Sequence, residues 1–401
     1  MRIDALTARS IPDTRGRPTI EVTLQGSTLK ATASVPSGKS TGSHEAFELR
    51  DEDGGVQTAV AHANGEIAQT IVGRQFDTLD ELDTLLIELD GTPNKSRLGA
   101  NAILAVSIAA QRLAAQLEGI PLWRAIATRA GTTPSAPRLY VNVMNGGVHA
   151  DFRLPFQEYI LVVEGATSEA LPIAREVFAK LGEKLGNAPM GDEGGYAPTF
   201  ATLEEPFDLL APLVAEHSHT SIAIDAAASE FYKDGVYTLL SKAYSPDELT
   251  TVYRELTERF PIHSIEDPFS EDAARDFTRL TAAIGNPSTS LGAGKVLIVG
   301  DDLTVTNPSR IASAANTKEI NAVLIKPNQI GSVKEAIEAV RATYAAGFVA
   351  IASHRSGETD DTFIADFAYG IGAHGIKAGG LGQKERLEKY ERLLEIEQEA
   401  R

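Results

Sequence analysis

The sequence predicts an α/β protein in which a β/α barrel follows a smaller α+β domain. Its 401 residues exceed the length of one typical domain. Residues 131–137, rich in Gly, Thr and Pro, separate two regions of different pattern and form the predicted linker. In the longer region, apolar segments recur, and each of them stops on a polar side chain. These observations predict a capping domain at residues 1–130 and a barrel at residues 138–401.

The first region shows the alternation and the helical period of an α+β domain. Residues 19–24 alternate between apolar and polar side chains, as a half-buried antiparallel strand does. Residues 37–42 are rich in Gly and Ser, which is typical of a loop. Residues 98–117 are rich in alanine and predict a helix that ends near Gly119.

The second region predicts a series of strands buried on both faces. A first strand is expected at residues 139–143, and a closing amphipathic helix at residues 384–399. Between the polar residue that ends one apolar segment and the polar residue that ends the next lie roughly 20 to 40 residues. This is room for a helix and a return to a parallel strand. The carboxyl ends of such strands meet at one edge of a barrel. The side chains expected to share this edge are Asp225, Glu266, Asp301, Lys326, His354 and Lys377.

Three of these polar side chains are carboxylates, and they predict a metal site. Asp225, Glu266 and Asp301 offer the hard oxygen ligands that suit Mg²⁺, an ion that takes few carboxylates and keeps some of its waters. Taken singly, an acid at a strand end also serves to cap the helix that follows. The regular spacing of the three favours the metal.

Lys326 is the candidate base. An ammonium on an apolar strand, near a bound cation and near Lys377, is expected to have a lowered pKa, which lets a lysine accept a proton at neutral pH. The alternative is a buried structural ion pair between Lys326 and one of the acids. The sequence leaves these two interpretations open.

Further candidates stand on predicted loops. Glu193, between glycines in the stretch 191–195, is a candidate general acid if its surroundings raise its pKa; a plain glycine turn is the alternative. His149, Gln157 and Glu158 follow the first barrel strand and are also candidate site residues. A lone histidine is more often a core or surface residue.

The stretch 353–358 is suited to a phosphate. It combines His354 with the guanidinium of Arg355, the hydroxyl of Ser356 and loop amides. It does not match a phosphate-loop motif, so its specificity alone is moderate.

Composition limits the classes of function. The chain has no cysteine, which excludes disulfides, thiolate metal sites and thiol nucleophiles. A net charge of −18 argues against a nucleic-acid or membrane partner. No apolar run is long enough to span a membrane and the start has no apolar signal segment, so a soluble, cytoplasmic protein is expected. An anionic substrate would have to be attracted by a metal or by a few local cations.

Together these segments resemble the enolase family, magnesium-dependent hydratases of glycolysis, over nearly the whole chain. The resemblance implies a mixed-sheet barrel behind an α+β capping domain, a small phosphate-bearing substrate, and a homodimer or higher homo-oligomer. The stretches that carry it are residues 13–19, 37–42, 98–104, 149–158, 191–195, 264–268, 300–303, 325–331 and 353–358.

The resemblance assigns two Mg²⁺ ions to the site. Asp225, Glu266 and Asp301 would hold the first ion, and Ser40, in the glycine-rich loop, would bind the second.

The resemblance also assigns the catalytic roles. Lys326 would take the proton from the carbon beside the substrate carboxylate, and Lys377 with the two ions would neutralise that carboxylate. Glu193, with Glu158 beside it, would protonate the leaving hydroxide. The implied catalytic set is Lys326, Glu193, Glu158, His149 and Lys377, and the implied substrate-binding set is His149, Gln157, Glu158, His354, Arg355, Ser356 and Lys377.

The departures from the family pattern leave the substrate open. Lys39 replaces the usual alanine of the loop, the segment after Asp51 is shortened, and residues 378–385 differ from the family's Ser- and Arg-rich stretch. The expected reaction is dehydration of 2-phosphoglycerate to phosphoenolpyruvate. One alternative is an enzyme of phosphonate metabolism, resembling carboxyphosphonoenolpyruvate synthases, that uses a phosphoglycerate and an activated phosphonoformate. The other is a non-catalytic binding protein on the same scaffold, which the intact catalytic set disfavours.

Overall fold

The computed structural model describes residues 1–39, 42–150, 154–285 and 296–401, apart from the side chains of Val148 and His149. Its strands are β1 (Ala5–Pro12), β2 (Pro18–Gly26), β3 (Leu29–Ser34), β4 (Arg138–Asn145), β5 (Glu158–Val163), β6 (Thr220–Asp225), β7 (Tyr232–Lys233), β8 (Val236–Leu239), β9 (Lys242–Tyr244), β10 (Ile262–Glu266), β11 (Leu297–Gly300), β12 (Ala322–Ile325), β13 (Val349–Ser353) and β14 (Gly375–Gly379).

The helices connect these strands and cover them. They are α1 (Gln57–His62), α2 (Ala68–Ile71), α3 (Leu79–Asp90), α4 (Ala100–Glu118), α5 (Leu122–Ala130), α6 (Thr167–Leu185), α7 (Glu205–Val214), α8 (Pro246–Arg259), α9 (Ala274–Ile284), α10 (Pro308–Thr317), α11 (Pro327–Ile330), α12 (Val333–Ala345), α13 (Phe363–Gly370) and α14 (Lys384–Glu399). A π-helical turn joins α1 to α2, and short 3₁₀ turns follow β4 and β6.

The N-terminal part is a three-stranded antiparallel sheet covered by helices. The order is β1-β2-β3, and α4 packs on β2 and β3. Ile20, Val22 and Leu24 alternate along β2 and are fully buried, which confirms the strand predicted from this alternation. The small side chains of the alanine-rich α4 let this helix lie almost wholly buried against the sheet.

The second part is a closed eight-stranded barrel with a mixed sheet. The order around the barrel is β10-β11-β12-β13-β14-β4-β5-β6, and β5 runs antiparallel to both of its neighbours. The other neighbouring pairs are parallel. The predicted fold class, with its barrel and mixed sheet, is confirmed. The division of the chain at residues 130 and 138 stays a prediction.

The amino end of the barrel is closed by a pair of histidines. An irregularity in the pairing of β10 with β6 falls at His263. His263 Nε2 lies 3.0 Å from Nε2 of His374, which precedes β14, and the two rings are nearly parallel. Arg138, the first residue of β4, contacts His374 Nδ1 at 3.2 Å and pairs with Glu164 at 2.8 Å. A small group of polar side chains therefore meets at this end of the barrel.

Several helices begin at residues that cap them. Ser245 forms a capping box with Glu248 at the start of α8. Asn307 accepts backbone N–H bonds at the start of α10, and Ser332 accepts one at the start of α12. Such caps fix the points at which the chain leaves the barrel mouth.

Side-chain contacts tie the N-terminal part to the barrel. Arg112 of α4 donates to both carboxylate oxygens of Asp361, at 2.6 and 2.7 Å.

Within the described ranges, no single helix is long and apolar enough to cross a membrane. Helices α4 and α5 meet that test only as a pair, with a bend of 106° between them.

Candidate active site

The candidate active site is a small polar cavity at the carboxyl edge of the barrel. Five of the six polar side chains lie at or just beyond the ends of β6 and β10–β13, as predicted, whereas Lys377 lies within β14. Each predicted site residue whose side chain the structure describes lines this cavity, except Glu266, which contacts the Lys377 ammonium there. The fold therefore brings this set of side chains together.

The Lys377 ammonium lies among three carboxylates. Its Nζ is 2.9 Å from Asp225 Oδ2, 2.7 Å from Glu266 Oε2 and 3.2 Å from Glu158 Oε1. Burial alone would lower the pKa of Lys377, but the carboxylates, Asp225 foremost, raise it well above its ordinary value. Lys377 is therefore a fixed positive charge at the base of the cavity.

Lys326 is engaged with Asp301. Its ammonium contacts Asp301 Oδ2, and Gln329 Nε2 donates to Asp301 Oδ1 at 2.8 Å. Burial would lower the pKa of Lys326, but the Asp301 charge outweighs it, and the pKa is raised. The fall in this pKa was expected beside a bound cation, and it stays a prediction. The contacts form the structural ion pair that the sequence had left as the alternative.

Glu158, Glu193 and His354 form a second group. Their potential ligand atoms lie within 4.8 Å of one another, and Asn142 Nδ2 donates to Glu193 Oε2 at 3.3 Å. Burial and the charge of Glu193 raise the pKa of Glu158 well above its ordinary value. Two buried carboxyl groups this close favour a state in which one of them is protonated.

The glycines around Glu193 allow its loop to approach the barrel closely. A Cβ atom on Gly191 would lie 2.4 Å from Cβ of Asn145, so a larger residue would push the loop away. The backbone carbonyl of Glu193 accepts a hydrogen bond from Gly380 N at 2.7 Å. The loop is therefore held against both β4 and the segment after β14.

A third group consists of carboxylates. The potential ligand atoms of Asp267, Asp301 and Asp302 lie within 4.8 Å of one another. Asp267 also accepts from the backbone N–H groups of Asp301 and Asp302, at 2.9 and 2.8 Å. Burial and the Asp301 charge raise the pKa of Asp302 to about 8. A divalent cation would offset this excess of buried negative charge, and the all-oxygen donors fit Mg²⁺.

The predicted metal trio is only partly assembled. Among the described residues, Asp225, Glu266 and Asp301 do not form one of these close groups, because Lys377 lies against the first two and Lys326 against the third. Burial, followed by the charges of Asp225 and Asp301, raises the pKa of Glu266 well above its ordinary value. The three carboxylates therefore still act on one another.

Residues of the N-terminal part contact the stretch 353–358 at the end of β13, which we call the phosphate-type stretch. The guanidinium of Arg355 pairs with both oxygens of Glu45, at 2.8 and 3.1 Å, and donates to Asn328 Oδ1 at 3.1 Å. The hydroxyl of Ser356 accepts from Arg15 Nη1 at 3.3 Å. The guanidinium and the hydroxyl expected to hold a phosphate are therefore already oriented by neighbouring side chains.

The described ends of the loop 37–42 contact the mouth. Ser37 and Gly357 exchange two backbone hydrogen bonds, each of 2.8 Å. Lys39 Nζ lies 2.6 Å from Asp192 Oδ2, in a partly exposed ion pair. The predicted ligand Ser40 lies outside the described residues.

Two residues before and at the start of β5 also face this region. Gln157 Nε2 donates to Asp225 Oδ2 at 3.3 Å, whereas within the described part of the chain Gln157 Oε1 and Glu158 Oε2 are buried without a hydrogen-bond partner. Such buried acceptors are suited to a polar ligand. The side chain of His149, another predicted site residue, lies outside what the structure describes.

Comparison with known proteins identifies the family. Residues 3–126 match the model of the enolase N-terminal domain, and residues 134–401 match that of the enolase C-terminal TIM barrel domain. The chain belongs to the enolase family. Enolase B of Dictyostelium discoideum is 43% identical over 429 aligned positions, which cover 100% of this chain and 95% of that protein. The enolase of Methanopyrus kandleri is 43% identical over 423 positions, which cover 99% and 96%.

Sequence reasoning missed several residues of this enolase-family site. Asn142 interrupts the otherwise apolar run of residues 139–144 within β4, and that exception was a usable signal. Asp267 directly follows Glu266 and was given no role of its own, although it orients Asp301. Glu45 lies in the N-terminal part, five residues after Ser40, and was given no role although it pairs with Arg355.

Proposed function

We propose that this enolase-family chain is a magnesium-dependent lyase that interconverts 2-phosphoglycerate and phosphoenolpyruvate. The main support is the joint presence, in one buried cavity, of two lysines and the carboxyl pair Glu158 and Glu193. Removal of a proton from one carbon and of hydroxide from the next requires a base, a proton donor and positive charge for the intermediate.

Lys326 is the proposed base. Its neutral amine takes the proton from the carbon beside the substrate carboxylate, and the electrons of the broken C–H bond move into that carboxylate to give an enolate. The ammonium of Lys377 stabilises the added negative charge. Because Lys326 contacts Asp301, this ion pair has to open before Lys326 can accept a proton.

Asp225, Glu266 and Asp301 are the proposed ligands of one Mg²⁺, and Ser40 is the proposed ligand of a second. When bound, Mg²⁺ supplies positive charge that makes the carbon acid easier to ionise. The oxygen donors and the raised pKa values of Glu266 and Asp302 fit a divalent cation, because a bound cation favours the ionised carboxylates.

The carboxyl pair is the proposed acid. The C–O bond at the neighbouring carbon breaks, and the departing hydroxide takes a proton from Glu193 or Glu158 to leave as water. The raised pKa of Glu158 favours its protonated form, which a proton donor requires. Microscopic reversibility gives the same residues the opposite roles when water adds to phosphoenolpyruvate.

Arg355 and Ser356 are proposed to hold the substrate phosphate, and Gln157, His149 and His354 to contact the rest of the substrate. Full-length relatives named enolase favour this reaction over the phosphonate alternative. The intact residue set favours it over a non-catalytic scaffold. A cytoplasmic location and a homodimer or larger homo-oligomer are part of the same proposal.

The direct test follows the absorbance of phosphoenolpyruvate formed from 2-phosphoglycerate and Mg²⁺. The Lys326→Ala variant is expected to lose exchange of the carbon-bound proton of the substrate with solvent, because no other group takes that proton. Lys334→Ala, which removes a lysine of α12 outside the cavity, serves as the matched control and should keep exchange. Exchange that persists in folded Lys326→Ala would remove this lysine from the role of base.

A further inference from the structure

Arg386 of α14 is a fully buried arginine beneath the mouth of the barrel. Its guanidinium donates to neutral acceptors on two loops. Nη1 donates to Arg355 O at 2.6 Å, and Nη2 donates to Ser356 O at 2.7 Å and to Asp192 O at 3.4 Å. One side chain therefore joins the phosphate-type stretch after β13 to the loop that carries Glu193.

The same guanidinium contacts the ring of His354. Arg386 Nη1 lies against His354 Nδ1. A guanidinium can only donate hydrogen bonds, so His354 Nδ1 must be the acceptor and carries no proton. The neutral ring then has its hydrogen on Nε2, which lies 3.7 Å from Glu193 Oε2. This contact is an N–H group facing a carboxyl group rather than an ion pair.

Electrostatics and packing support the same arrangement. Burial, followed by the charge of Arg386, lowers the pKa of His354 well below its ordinary value. Gly379 leaves the room that the guanidinium needs, since a Cβ there would lie 2.5 Å from Arg386 Cδ and 3.0 Å from His354 Cε1. A lysine could not reproduce the planar fork of donors at this position.

We propose that Arg386 is a positioning residue that holds His354 in the neutral tautomer with its hydrogen on Nε2 and fixes the spacing of the two loops. The role of this tautomer in the reaction rests on the proposed function, since His354 and Glu193 would face the substrate. The tautomer itself is a property of the protein without substrate.

The test is nitrogen NMR of the full chain with ¹⁵N-labelled histidine. Long-range correlations distinguish the two neutral tautomers and the imidazolium, and the His354 signals are those missing from His354→Gln. In the wild type, His354 is expected to show an unprotonated Nδ1 and a protonated Nε2. In Arg386→Gln the ring is expected to populate the other tautomer or to titrate, and kcat is expected to fall by about tenfold or more, because the two loops lose their common donor.

Two further variants separate positioning from general stability. Arg386→Lys should restore the tautomer only in part. Arg392→Gln, on the same helix but paired with Asp366 and Glu399, should leave both the tautomer and kcat unchanged. If Arg386→Gln does not fold, Arg386→Lys carries the test, because it keeps the positive charge and removes the planar fork of donors; a fully native tautomer in Arg386→Lys would then overturn the inference.

The positioning role of Arg386 and the proposed function can fail independently of each other. A wild-type ring with its hydrogen on Nδ1, or an Arg386→Gln protein that keeps the native tautomer, would overturn the inference. Loss of the native tautomer in a protein that does not act on 2-phosphoglycerate would sustain the positioning role and reject the proposed function.

Discussion

Acidification is expected to destabilise the protein through the histidine pair at the amino end of the barrel. Burial, followed by the charge of Arg138, lowers the pKa of His263 from 6.5 to about 4. Burial, Arg138 and the neighbouring ring lower the pKa of His374 to about 3. Glu164 acts in the opposite direction on His263, but more weakly. The folded protein therefore keeps both rings neutral where the unfolded chain takes up protons.

The sign and size of this change in stability follow from the difference in the number of protons bound by the folded and the unfolded protein. The stability that the pair contributes is fully present above the unfolded pKa of 6.5 and is lost as the pH falls towards the folded values. At about pH 5 each histidine accounts for a loss of about 2 kcal/mol, so His263 and His374 together account for about 4 kcal/mol.

Urea unfolding at about pH 7 and about pH 5 measures this loss, with the double variant His263→Gln/His374→Gln compared with the wild type. The buried carboxyl groups of the mouth titrate in both proteins, so the difference between them isolates the pair. His219→Asn, which changes an exposed histidine, is the control. An equal loss of stability in the wild type and the double variant would refute the assignment of the acid sensitivity to this pair.

Two further predictions concern ion pairs outside the centre of the cavity. Lys39→Ala removes the partly exposed pair with Asp192, so the free energy of unfolding should change by no more than ~1 kcal/mol, whereas KM should rise and respond less to ionic strength. An unchanged salt response of KM would contradict this link between the loop and the mouth. Arg112→Met leaves the buried carboxylate of Asp361 without its bidentate partner and should cost about 3 kcal/mol in urea unfolding. Replacing Asp361 by Asn in that variant should recover part of the loss, and no recovery would indicate a packing effect instead.

The barrel strands were predictable because each is buried on both faces and ends at the polar mouth. β5 did not follow this rule. It runs antiparallel to its neighbours, so Glu158 reaches the mouth from the start of its strand rather than from the end. A search for polar residues after apolar runs cannot find such a position. Glu158 was a candidate only because it follows the first barrel strand, and the resemblance to a known family supplied its role.

The protonation of Lys326 was not predictable for a different reason. The direction of its pKa shift depends on whether a carboxylate or only other cations lie in contact with the ammonium. The sequence does not determine that contact. The burial of Arg386 was not predictable either, because a charged residue in an amphipathic helix is normally expected on the exposed face. Its burial depends on acceptors contributed by two loops distant in sequence.

The contacts of Glu45 with Arg355, and of Arg15 with Ser356, join positions 310 and 341 residues apart. The entropy of closing so long a loop has to be overcome before such a contact stabilises anything, whereas most neighbouring barrel strands pair over much shorter separations; β14 and β4, which pair Gly375 with Arg138, are an exception. This order favours pairing of β10 to β14 with one another before the N-terminal part docks on them. The phosphate-type stretch would then acquire its final orientation late in folding, so a trapped intermediate would have most barrel strands paired but an unfinished mouth.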